Sequence, residues 1–296
     1  MSTIIDLHMH TNCSDGKYSP KQVLEMAKQN GVKIMAITDH DSIDAYTDET
    51  KVLAKQFGIT LIQGVEISTK YGKAGIHVLG YNFDPKNELF LKTIYEARNS
   101  RHIYLYDVAK RLNELGYIVN VENLDRVDSV TKAHIATDIV ENPKNAEKLM
   151  SEFGHIPSMG EYIEAIMNEG CIGYVTKKSI SPIEASKIIR QAGGKCVLAH
   201  PVAYKYEDNL SENDILELID KMQPDGIEAN YIYVDNFDNA IDECDFWLNV
   251  PKTKKLFATI GSDFHREKPN SPLIGFKNGD KIFDVDAHEI LENLTK

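Results

Sequence analysis

Seven short apolar runs in this sequence end abruptly in polar or charged residues, and helix-period segments separate most of them. The runs cover residues 4–10, 34–40, 61–68, 76–81, 196–201, 226–231 and 257–265. Runs of this length and β-branched content are typical of buried strands. Strands that alternate with helices indicate parallel β-structure with crossover helices. Seven of them favour a barrel, regular or distorted, over an open sheet.

The alternation of strands and helices breaks off between the fourth and fifth runs. Helices are predicted there at about 88–116, 121–141, 145–153 and 160–169. We therefore predict an α/β protein, a distorted seven-stranded (β/α)7 barrel formed by residues 1–84 and 176–296. Residues 85–175 are predicted to be an inserted small helical domain that acts as a substrate lid over one face of the barrel.

The bulk composition excludes several classes of protein. The chain has 296 residues and a formal net charge of −12, so extended binding along a nucleic-acid backbone is not expected. No stretch approaches about 18 uninterrupted apolar residues, and the first residues lack the pattern of a signal peptide. The four cysteines form no C-x-x-C pair, which favours a reducing compartment. We expect a cytoplasmic protein with no membrane partner.

The histidines are concentrated at the ends of the predicted strands. Six of the ten lie within or just after the strand runs, and three carboxylates occupy the same places. Side chains at the C-terminal strand ends of a parallel barrel converge on one mouth. Because side chains alternate along a strand, His8 and His10 project to one side, and so do Asp263 and His265. Nine residues thus predict a metal centre: His8, His10, Asp15, His40, Glu66, His77, His200, Asp263 and His265.

The chemistry of these side chains narrows the metal and the reaction. Imidazole and carboxylate ligands without thiolate suit Mn²⁺, Fe²⁺ or Zn²⁺, and we expect Mn²⁺ first among them. Nine ligands exceed what one ion with open positions needs, so two or three ions are predicted. Three divalent ions outweigh the charge of three carboxylates, and a hydroxide with a phosphate dianion would neutralise the excess. Such a cluster suits attack of a metal-bound hydroxide on phosphorus.

Six motifs occur here in the order found in the PHP (polymerase and histidinol phosphatase) superfamily, which the chain resembles. They are HMHTNCSDG, ITDHD, GVEIS, HVLGY, AHP and GSDFH. The resemblance implies a distorted seven-stranded barrel and a trinuclear site. It assigns the nine ligands to three ions: His8, His10, Glu66 and Asp263 to the first, bridging Glu66 with His77 and His200 to the second, and Asp15, His40 and His265 to the third.

Within the superfamily, the chain looks most like the stand-alone nucleoside 3′,5′-bisphosphate phosphatases and 5′-to-3′ oligoribonucleotide exonucleases. LGYNFD, GYVTK and GGKCVLAHP carry this resemblance. That branch usually has a G-R-P-H element in its insertion, whereas this chain has Thr131, Lys132, Ala133 and His134. His134 survives, and Lys132 replaces the arginine with a point charge.

The resemblance implies a phosphomonoesterase acting on a small phosphorylated metabolite, either a nucleotide or an oligonucleotide 5′ end. Asp263 and His134 are the expected catalytic residues, His134 as a phosphate ligand or as the acid that protonates the leaving oxygen. The expected substrate contacts are Lys132, His134, Lys177, Arg98 and Arg101. The alternatives are a cyclic-phosphate phosphodiesterase and a noncatalytic polymerase-associated accessory.

Further residues lie near the predicted mouth. Glu228 ends a strand and is expected to orient a ligand histidine. Asp39 and Asp41 flank His40 and should point away from its side, with Asp41 capping the following helix. Arg266 directly follows His265 and is expected near the mouth.

Overall fold

The computed structural model describes residues 3–126, 130–176, 179–235, 239–268, 270–277 and 286–295. The chain forms two compact units. The first, called the sheet unit, comprises Met1–Tyr95 and Ile180–Lys296, and the second, the helical unit, comprises Glu96–Ser179. That the second unit is an inserted domain which serves as a lid remains a prediction.

The sheet unit contains short strands joined mostly by helices. Its strands are β1 (Ile4–Asp6), β2 (Val32–Ile37), β3 (Thr60–Tyr71), β4 (Ala74–Tyr81), β5 (Lys195–Leu198), β6 (Gly226–Asn230), β7 (Ile232–Val234), β8 (Ala240–Asp242) and β9 (Phe257–Ile260). Its helices are α1 (Pro20–Gln29), α2 (Asp48–Gln56), the start of α3 (Glu88–Glu114), α8 (Pro182–Gln191), α9 (Ala203–Glu207), α10 (Glu212–Met222), α11 (Cys244–Trp247), α12 (Asn249–Lys254) and α13 (Ala287–Thr295).

Seven of these strands form one sheet in the order β1-β2-β3-β4-β5-β6-β9, and each lies within or overlaps one of the predicted runs. The sheet is mostly parallel, which confirms an α/β fold. The expectation of parallel strands throughout was wrong for β4, which is antiparallel to both β3 and β5. Only Gly72 and Lys73 separate β3 from β4, too few residues for the crossover that a parallel pair requires. The separate β7–β8 ribbon was not predicted.

Local sequence signals fix the helices that flank the sheet. Ser19 caps α1 in a capping box with Gln22, Pro20 takes the first helical position, and Gly31 follows the helix end with φ +76°. The predicted start and end of α1 are therefore confirmed. Ser181 and Glu184 form the same capping box at the start of α8.

Apolar residues from both faces of the sheet are buried. One cluster draws side chains from β1, β2, β3, β4, β5 and β9 and packs against Ala287, Ile290 and Leu294 of α13. The hydroxyl of Tyr81, in β4, donates to the carbonyl of Leu7, just after β1, at 2.9 Å. These contacts hold the strand ends in fixed positions, which is what a precisely placed site requires.

Backbone hydrogen bonds link the chain after β1 to β9 and its following residues. The amide of Leu7 donates to the carbonyl of Ile260 at 3.1 Å, and that of Asp263 donates to the carbonyl of His8 at 2.8 Å. The amide of His10 donates to the carbonyl of Phe264 at 2.9 Å. The first and last strands of the sheet order are therefore connected beyond their regular ends.

The helical unit has its own apolar core and no strand among its described residues. Its elements are the remainder of α3, α4 (Val121–Leu124), α5 (Lys132–Glu141), a 3₁₀ turn (Pro143–Asn145), α6 (Ala146–Phe153), α7 (Met159–Tyr162) and a π-helical turn (Ile163–Met167). The long helix predicted at 88–116 is confirmed as α3. None of the helices in the described ranges is both long and apolar enough to cross a bilayer.

Candidate metal centre

The nine predicted ligands lie on segments that meet at one end of the seven-stranded sheet. His8 and His10 follow β1, His40 follows β2, Glu66 lies in β3 and His200 follows β5. His77 reaches the same end differently, because it lies in the N-terminal half of the reversed strand β4. Asp15 lies in the loop after His10, and Asp263 and His265 follow β9.

Glu66 lies at the centre of this group and is almost fully buried. Its Oε2 atom lies 3.2 Å from Nε2 of His8, 3.1 Å from Nε2 of His10 and 3.2 Å from Nδ1 of His40. Three imidazole rings thus present nitrogen atoms to one carboxylate oxygen.

The other oxygen of Glu66 faces two further rings. Oε1 lies 3.1 Å from Nδ1 of His77 and 3.1 Å from Nε2 of His200. These two ring nitrogens are 3.3 Å apart. Glu66 therefore stands between two sets of histidines, one on each carboxylate oxygen.

Asp263 joins the first of these sets. Its Oδ1 atom lies 3.3 Å from Nε2 of His8 and 3.2 Å from Nε2 of His10. The φ angle of Asp263 is +51°, so the regular alternation predicted for Asp263 and His265 does not hold here. Tyr231, which no sequence pattern singled out, donates from its hydroxyl to Oδ2 of Asp263 at 3.3 Å.

A third set surrounds Asp15, which is partly exposed. Its carboxylate oxygens lie 3.3 Å from Nε2 of His265, 3.6 Å from Nδ1 of His10 and 3.8 Å from Nε2 of His40. His10 and His40 each turn one ring nitrogen toward Glu66 and the other toward Asp15. The structure thus brings all nine predicted side chains together.

Several of these close approaches suit a shared cation better than hydrogen bonds. Within the described part of the chain, Oε2 of Glu66 and Nδ1 of His40 are buried and have no hydrogen-bond partner. The Nε2 atoms of His8 and His10 face each other at 3.2 Å. Three subsets bring their ligand atoms within 4.8 Å of one another: His8, His10, Glu66 and Asp263; His10, Asp15, His40 and His265; and His40, Glu66 and His77. Nitrogen and carboxylate donors in this arrangement fit divalent transition ions.

Electrostatics keep the central carboxylates ionised. Burial raises the pKa of Glu66, but His40, His8 and His77 outweigh it and hold that pKa well below its usual value. The pKa of Asp263 is lowered in the same way by His8 and His265 against the effect of burial. The set therefore offers negative oxygen atoms to a cation.

The sequence comparison decides the family. The model of the PHP domain matches residues 6–223 of the chain, which is well over half of its length. The chain belongs to the PHP domain family. Its predicted membership is therefore confirmed. Seven of the nine clustered side chains lie inside the match, and Asp263 and His265 lie beyond it.

Curated relatives of this PHP chain match nearly its whole length. It is 29% identical over 273 residues to a 5′-3′ exoribonuclease of Haemophilus influenzae, covering 90% of this chain and 91% of that protein. It is 27% identical to a 3′,5′-nucleoside bisphosphate phosphatase of Chromobacterium violaceum, with 88% and 87% covered. It is also 27% identical to a phosphoribosyl 1,2-cyclic phosphate 1,2-diphosphodiesterase of Eggerthella lenta, with 93% and 98% covered.

A solved structure supports the fold. A protein described as a candidate metal-dependent phosphoesterase from Bifidobacterium adolescentis superposes on this PHP chain with a TM-score of 0.66. The match covers 100% of this chain and 98% of that protein, at 22% sequence identity.

Glu228 supports the PHP centre from behind. Its two carboxylate oxygens lie 3.1 and 3.0 Å from Nδ1 of His8, and one accepts from the backbone amide of His200 at 2.9 Å. Donation from Nδ1 of His8 to Glu228 leaves Nε2 of that ring as a lone-pair donor directed at Glu66 and Asp263. The structure thus places Glu228 where it orients a proposed ligand, as the sequence predicted.

A buried aspartate, Asp6, holds loops that carry proposed ligands. Asp6 accepts from the backbone amides of His8, Ser262 and Gly275, and burial raises its pKa to about 6. No sequence pattern pointed to Asp6, because it lies within an otherwise ordinary strand.

Asp39 and Asp41, which flank His40, also accept hydrogen bonds from neighbouring segments. Asp39 accepts from the amide and hydroxyl of Thr11 at 2.6 and 2.7 Å. The expectation that Asp41 caps the next helix was wrong, because Asp41 accepts from the amide of Ser68 and Thr47 caps α2. Between Asp41 and Thr47 the chain turns back toward β3, and α2 begins only after that turn.

The predicted substrate contacts lie mainly in the helical unit. His134 is exposed in the first turn of α5, and its Nδ1 accepts from the amide of Thr131 in a capping box. The Nζ atom of Lys132 lies 3.3 Å from Oδ1 of Asn168. Arg98 is exposed on α3. Lys177 and the side chain of Arg101 lie outside the described residues.

Proposed function

We propose that this PHP-family metal-dependent phosphoesterase hydrolyses the phosphomonoester of a small phosphorylated metabolite. The proposed substrate is a nucleotide, such as a nucleoside 3′,5′-bisphosphate, or the 5′ end of an oligonucleotide. The observation that carries the proposal is the pair of histidine sets on the two oxygens of Glu66, with a third set around Asp15. Similarity to a bisphosphate phosphatase supports the phosphomonoester, and similarity to an exoribonuclease supports a nucleotide or oligonucleotide as the substrate.

The nine side chains would hold two to three divalent ions, with Mn²⁺ first among the metals to test. In this proposal Glu66 bridges two ions, one bound with His8, His10 and Asp263 and the other with His77 and His200. Asp15, His40 and His265 would bind the third. The distances from Glu66 and Asp15 to these rings support this division.

Bound ions would polarise the phosphoryl group and supply a nucleophilic water at neutral pH. The protein holds the ligands for this chemistry rigidly, through Glu228, Asp6 and the backbone bonds of the strand ends. In the overall reaction a bond forms between a water oxygen and phosphorus, the bond from phosphorus to the ester oxygen breaks, and the departing oxygen takes a proton.

His134 is proposed to bind phosphate or to donate that proton. Because its Nδ1 accepts from the amide of Thr131, a neutral ring carries its proton on Nε2, where a substrate oxygen can accept it. The other proposed substrate contacts are Lys132, Lys177, Arg98 and Arg101. Residues 85–175 are proposed to form the domain that selects the substrate.

Two broader features belong to the same proposal. The bonds that join the chain after β1 to β9 support a sheet closed into a distorted barrel.

The four cysteines are free thiols, which supports a reducing compartment, the cytoplasm.

A cyclic-phosphate phosphodiesterase is the second candidate. The relative from Eggerthella lenta covers 93% of this chain, and Lys132 stands where the bisphosphate phosphatase branch usually has arginine. Both reactions use the same proposed ions, so the ligand set does not separate them.

Four substrates separate these functions. The Mn²⁺-loaded protein should be assayed with p-nitrophenyl phosphate, bis(p-nitrophenyl) phosphate, adenosine 3′,5′-bisphosphate and a short 5′-phosphorylated RNA. The proposal predicts turnover of the three monoesters and loss of all turnover in a chelator. The highest kcat/KM should be found on adenosine 3′,5′-bisphosphate or on the 5′-phosphorylated RNA. Preference for the diester would favour the second candidate, and no metal-dependent turnover of any substrate would contradict both.

A further inference from the structure

A cavity of about 430 Å³ lies beside the proposed metal centre within the sheet unit. Asp15, Asp263 and His265, three of the proposed metal ligands, form part of its lining, so a phosphate bound to the ions would lie at its edge. A volume of this size is typical of small-molecule sites. The part of a substrate beyond its scissile phosphate therefore has room within this unit.

Two cations line this cavity, and no described residue forms an ion pair with either of them. Arg266 and Lys268 are exposed, and neither has an ion-pair partner among the residues that the structure describes. The carboxylate between them in sequence, Glu267, is engaged elsewhere: it accepts from the hydroxyl of Tyr18 at 2.6 Å, and its Oε2 atom lies 3.5 Å from Nζ of Lys17. The positive charge at the cavity is thus available to an anion.

Other lysines of the same unit do form ion pairs with carboxylates, so carboxylates are available to pair with surface cations. The Nζ atom of Lys205 lies 2.7 Å from Oε1 of Glu243, and that of Lys277 lies 2.7 Å from Oδ2 of Asp242. In a chain of net charge −12, two unpaired cations beside a phosphate site favour a second anionic group on the substrate.

A second part of the lining is a buried wall that follows β6. Tyr231 and Tyr233 are 9% and 6% exposed, and the ring of Tyr233 stacks on that of Tyr206 with centroids 5.4 Å apart. Glu207 adds a further carboxylate to the lining. This rigid wall of aromatic rings can support the body of an organic substrate while the two cations hold its charge.

We propose that this cavity binds the organic part of the substrate together with a second, non-scissile phosphate, and that Arg266 and Lys268 are the cations which hold that phosphate. The inference rests on the proposed function for the scissile phosphate at the metal centre. It adds Arg266 and Lys268 of the sheet unit to the residues of the helical domain that are proposed to select the substrate, and neither was among the predicted substrate contacts.

The test compares kcat/KM on two substrates with the Mn²⁺-loaded full-length protein. Adenosine 3′,5′-bisphosphate carries a second phosphate, and p-nitrophenyl phosphate does not. Arg266→Met should lower kcat/KM on the bisphosphate by roughly 10- to 100-fold, the loss expected for one charged hydrogen bond, and lower it much less on p-nitrophenyl phosphate. Lys268→Met should shift the ratio in the same direction.

Lys252→Met is the matched control, because Lys252 is an exposed lysine of α12 that is not part of the cavity lining. It should leave both kcat/KM values at the wild-type level. A loss on the bisphosphate as large as that of Arg266→Met would mean that any surface cation of the sheet unit has this effect, and would overturn the inference.

The outcomes separate the inference from the function on which it rests. Equal losses on both substrates, or no loss on either, in Arg266→Met and Lys268→Met would overturn the inference while wild-type turnover upheld the phosphoesterase. Wild-type hydrolysis of p-nitrophenyl phosphate without hydrolysis of the bisphosphate would do the same. Wild-type protein with no Mn²⁺-dependent turnover of any monoester would overturn the proposed function and the inference with it.

Discussion

At the scale of single residues, Glu66 lies close to more histidine rings than any other proposed ligand. Five imidazole nitrogens lie within 3.1–3.2 Å of its two oxygens: those of His8, His10, His40, His77 and His200. The sequence could identify Glu66 because it lies in a buried run, in a position where a carboxylate has no structural reason to lie. A residue that bridges two ions affects both when it is changed.

We expect Glu66→Gln to abolish metal binding and turnover together. The neutral amide replaces one acceptor oxygen with a donor, which repels a cation and faces ring nitrogens that need a negative partner. Activity should fall by more than the roughly 10- to 100-fold that is typical of residues behind the ligands. Metal content and p-nitrophenyl phosphate hydrolysis measure both effects.

Glu217→Gln is the control for this change, because Glu217 is 70% exposed on α10 and pairs with Lys221 on the surface. It should keep wild-type metal content and turnover. A Glu66→Gln protein that bound two or three ions per chain would remove Glu66 from the proposed bridging position.

For Glu228 we expect a weaker effect that excess metal reverses. In Glu228→Gln, an amide oxygen at the Oε2 position still accepts from Nδ1 of His8 and from the amide of His200, but the NH₂ group at the Oε1 position then opposes Nδ1 of His8. Apparent Mn²⁺ affinity should fall by roughly 10- to 100-fold, with kcat largely recovered at saturating Mn²⁺. Titration of the chelator-stripped protein with Mn²⁺ measures this, and an unchanged titration curve would rule out the orienting role.

Gly261 lies beside the proposed centre at a position where a methyl group has no room. A Cβ atom there would lie 2.2 Å from Cβ of His8 and 2.3 Å from Oε1 of Glu228. We expect Gly261→Ala to lower the free energy of unfolding by about 1–3 kcal/mol through overpacking, and to weaken metal binding as His8 shifts.

Gly75→Ala is the matched control, because nothing lies within 4 Å of the Cβ position at Gly75 and its φ angle is not positive. Denaturant unfolding of both variants makes the comparison. Equal stability of the two alanine variants would show that the backbone beside His8 yields without cost.

At the scale of elements, the sequence predicted the existence of the seven strands better than their directions. Apolar runs locate buried strands, and polar ends locate the loops, but neither pattern carries direction. The antiparallel strand β4 could have been found from spacing, because the runs at 61–68 and 76–81 are too close for a parallel crossover. The predicted position of His77 at the site was therefore correct, although the direction of its strand had not been predicted.

Positions beyond the strand ends were harder to predict. Asp263 has φ +51° and Asp41 has φ +50°, so side-chain alternation gives no guidance there. Hydrogen bonds between distant segments decide these conformations, such as that from the amide of Asp263 to the carbonyl of His8. The Tyr231 contact with Asp263 likewise depends on tertiary packing that no local pattern encodes.

The helical unit depends on one buried amide side chain. Asn145 is 1% exposed, accepts from the amide of Ile118 at 2.7 Å, and donates to the carbonyls of Ile118 and Ile139 at 2.9 and 3.1 Å. We expect Asn145→Ala to destabilise the protein by at least about 2 kcal/mol, because buried backbone groups lose their partners.

Asn113→Ala, on the exposed face of α3, is the control and should be neutral or slightly stabilising, since alanine favours a helix. Thermal unfolding followed by circular dichroism compares the two. Wild-type stability of Asn145→Ala would mean that water replaces the side chain at no cost.

At the scale of the whole molecule, the sequence specified the chemistry more completely than the substrate. The nine clustered side chains were all predicted, because histidines and carboxylates that recur at strand ends seldom serve packing alone. The cavity beside them was not predicted, since Tyr233, Arg266 and Lys268 become neighbours of one cavity only in the folded chain. Substrate choice depends on such surfaces, which local sequence patterns do not describe.

Metal stoichiometry measured together with turnover tests most directly whether the nine side chains hold catalytic ions. Protein stripped with a chelator should be refilled with Mn²⁺ in steps, and bound metal and p-nitrophenyl phosphate hydrolysis should be measured at each step. We expect two to three ions per chain at saturation, turnover that rises with occupancy, and none in excess chelator. Fewer than about one ion per chain, or turnover that persists in the chelator, would contradict the metal centre.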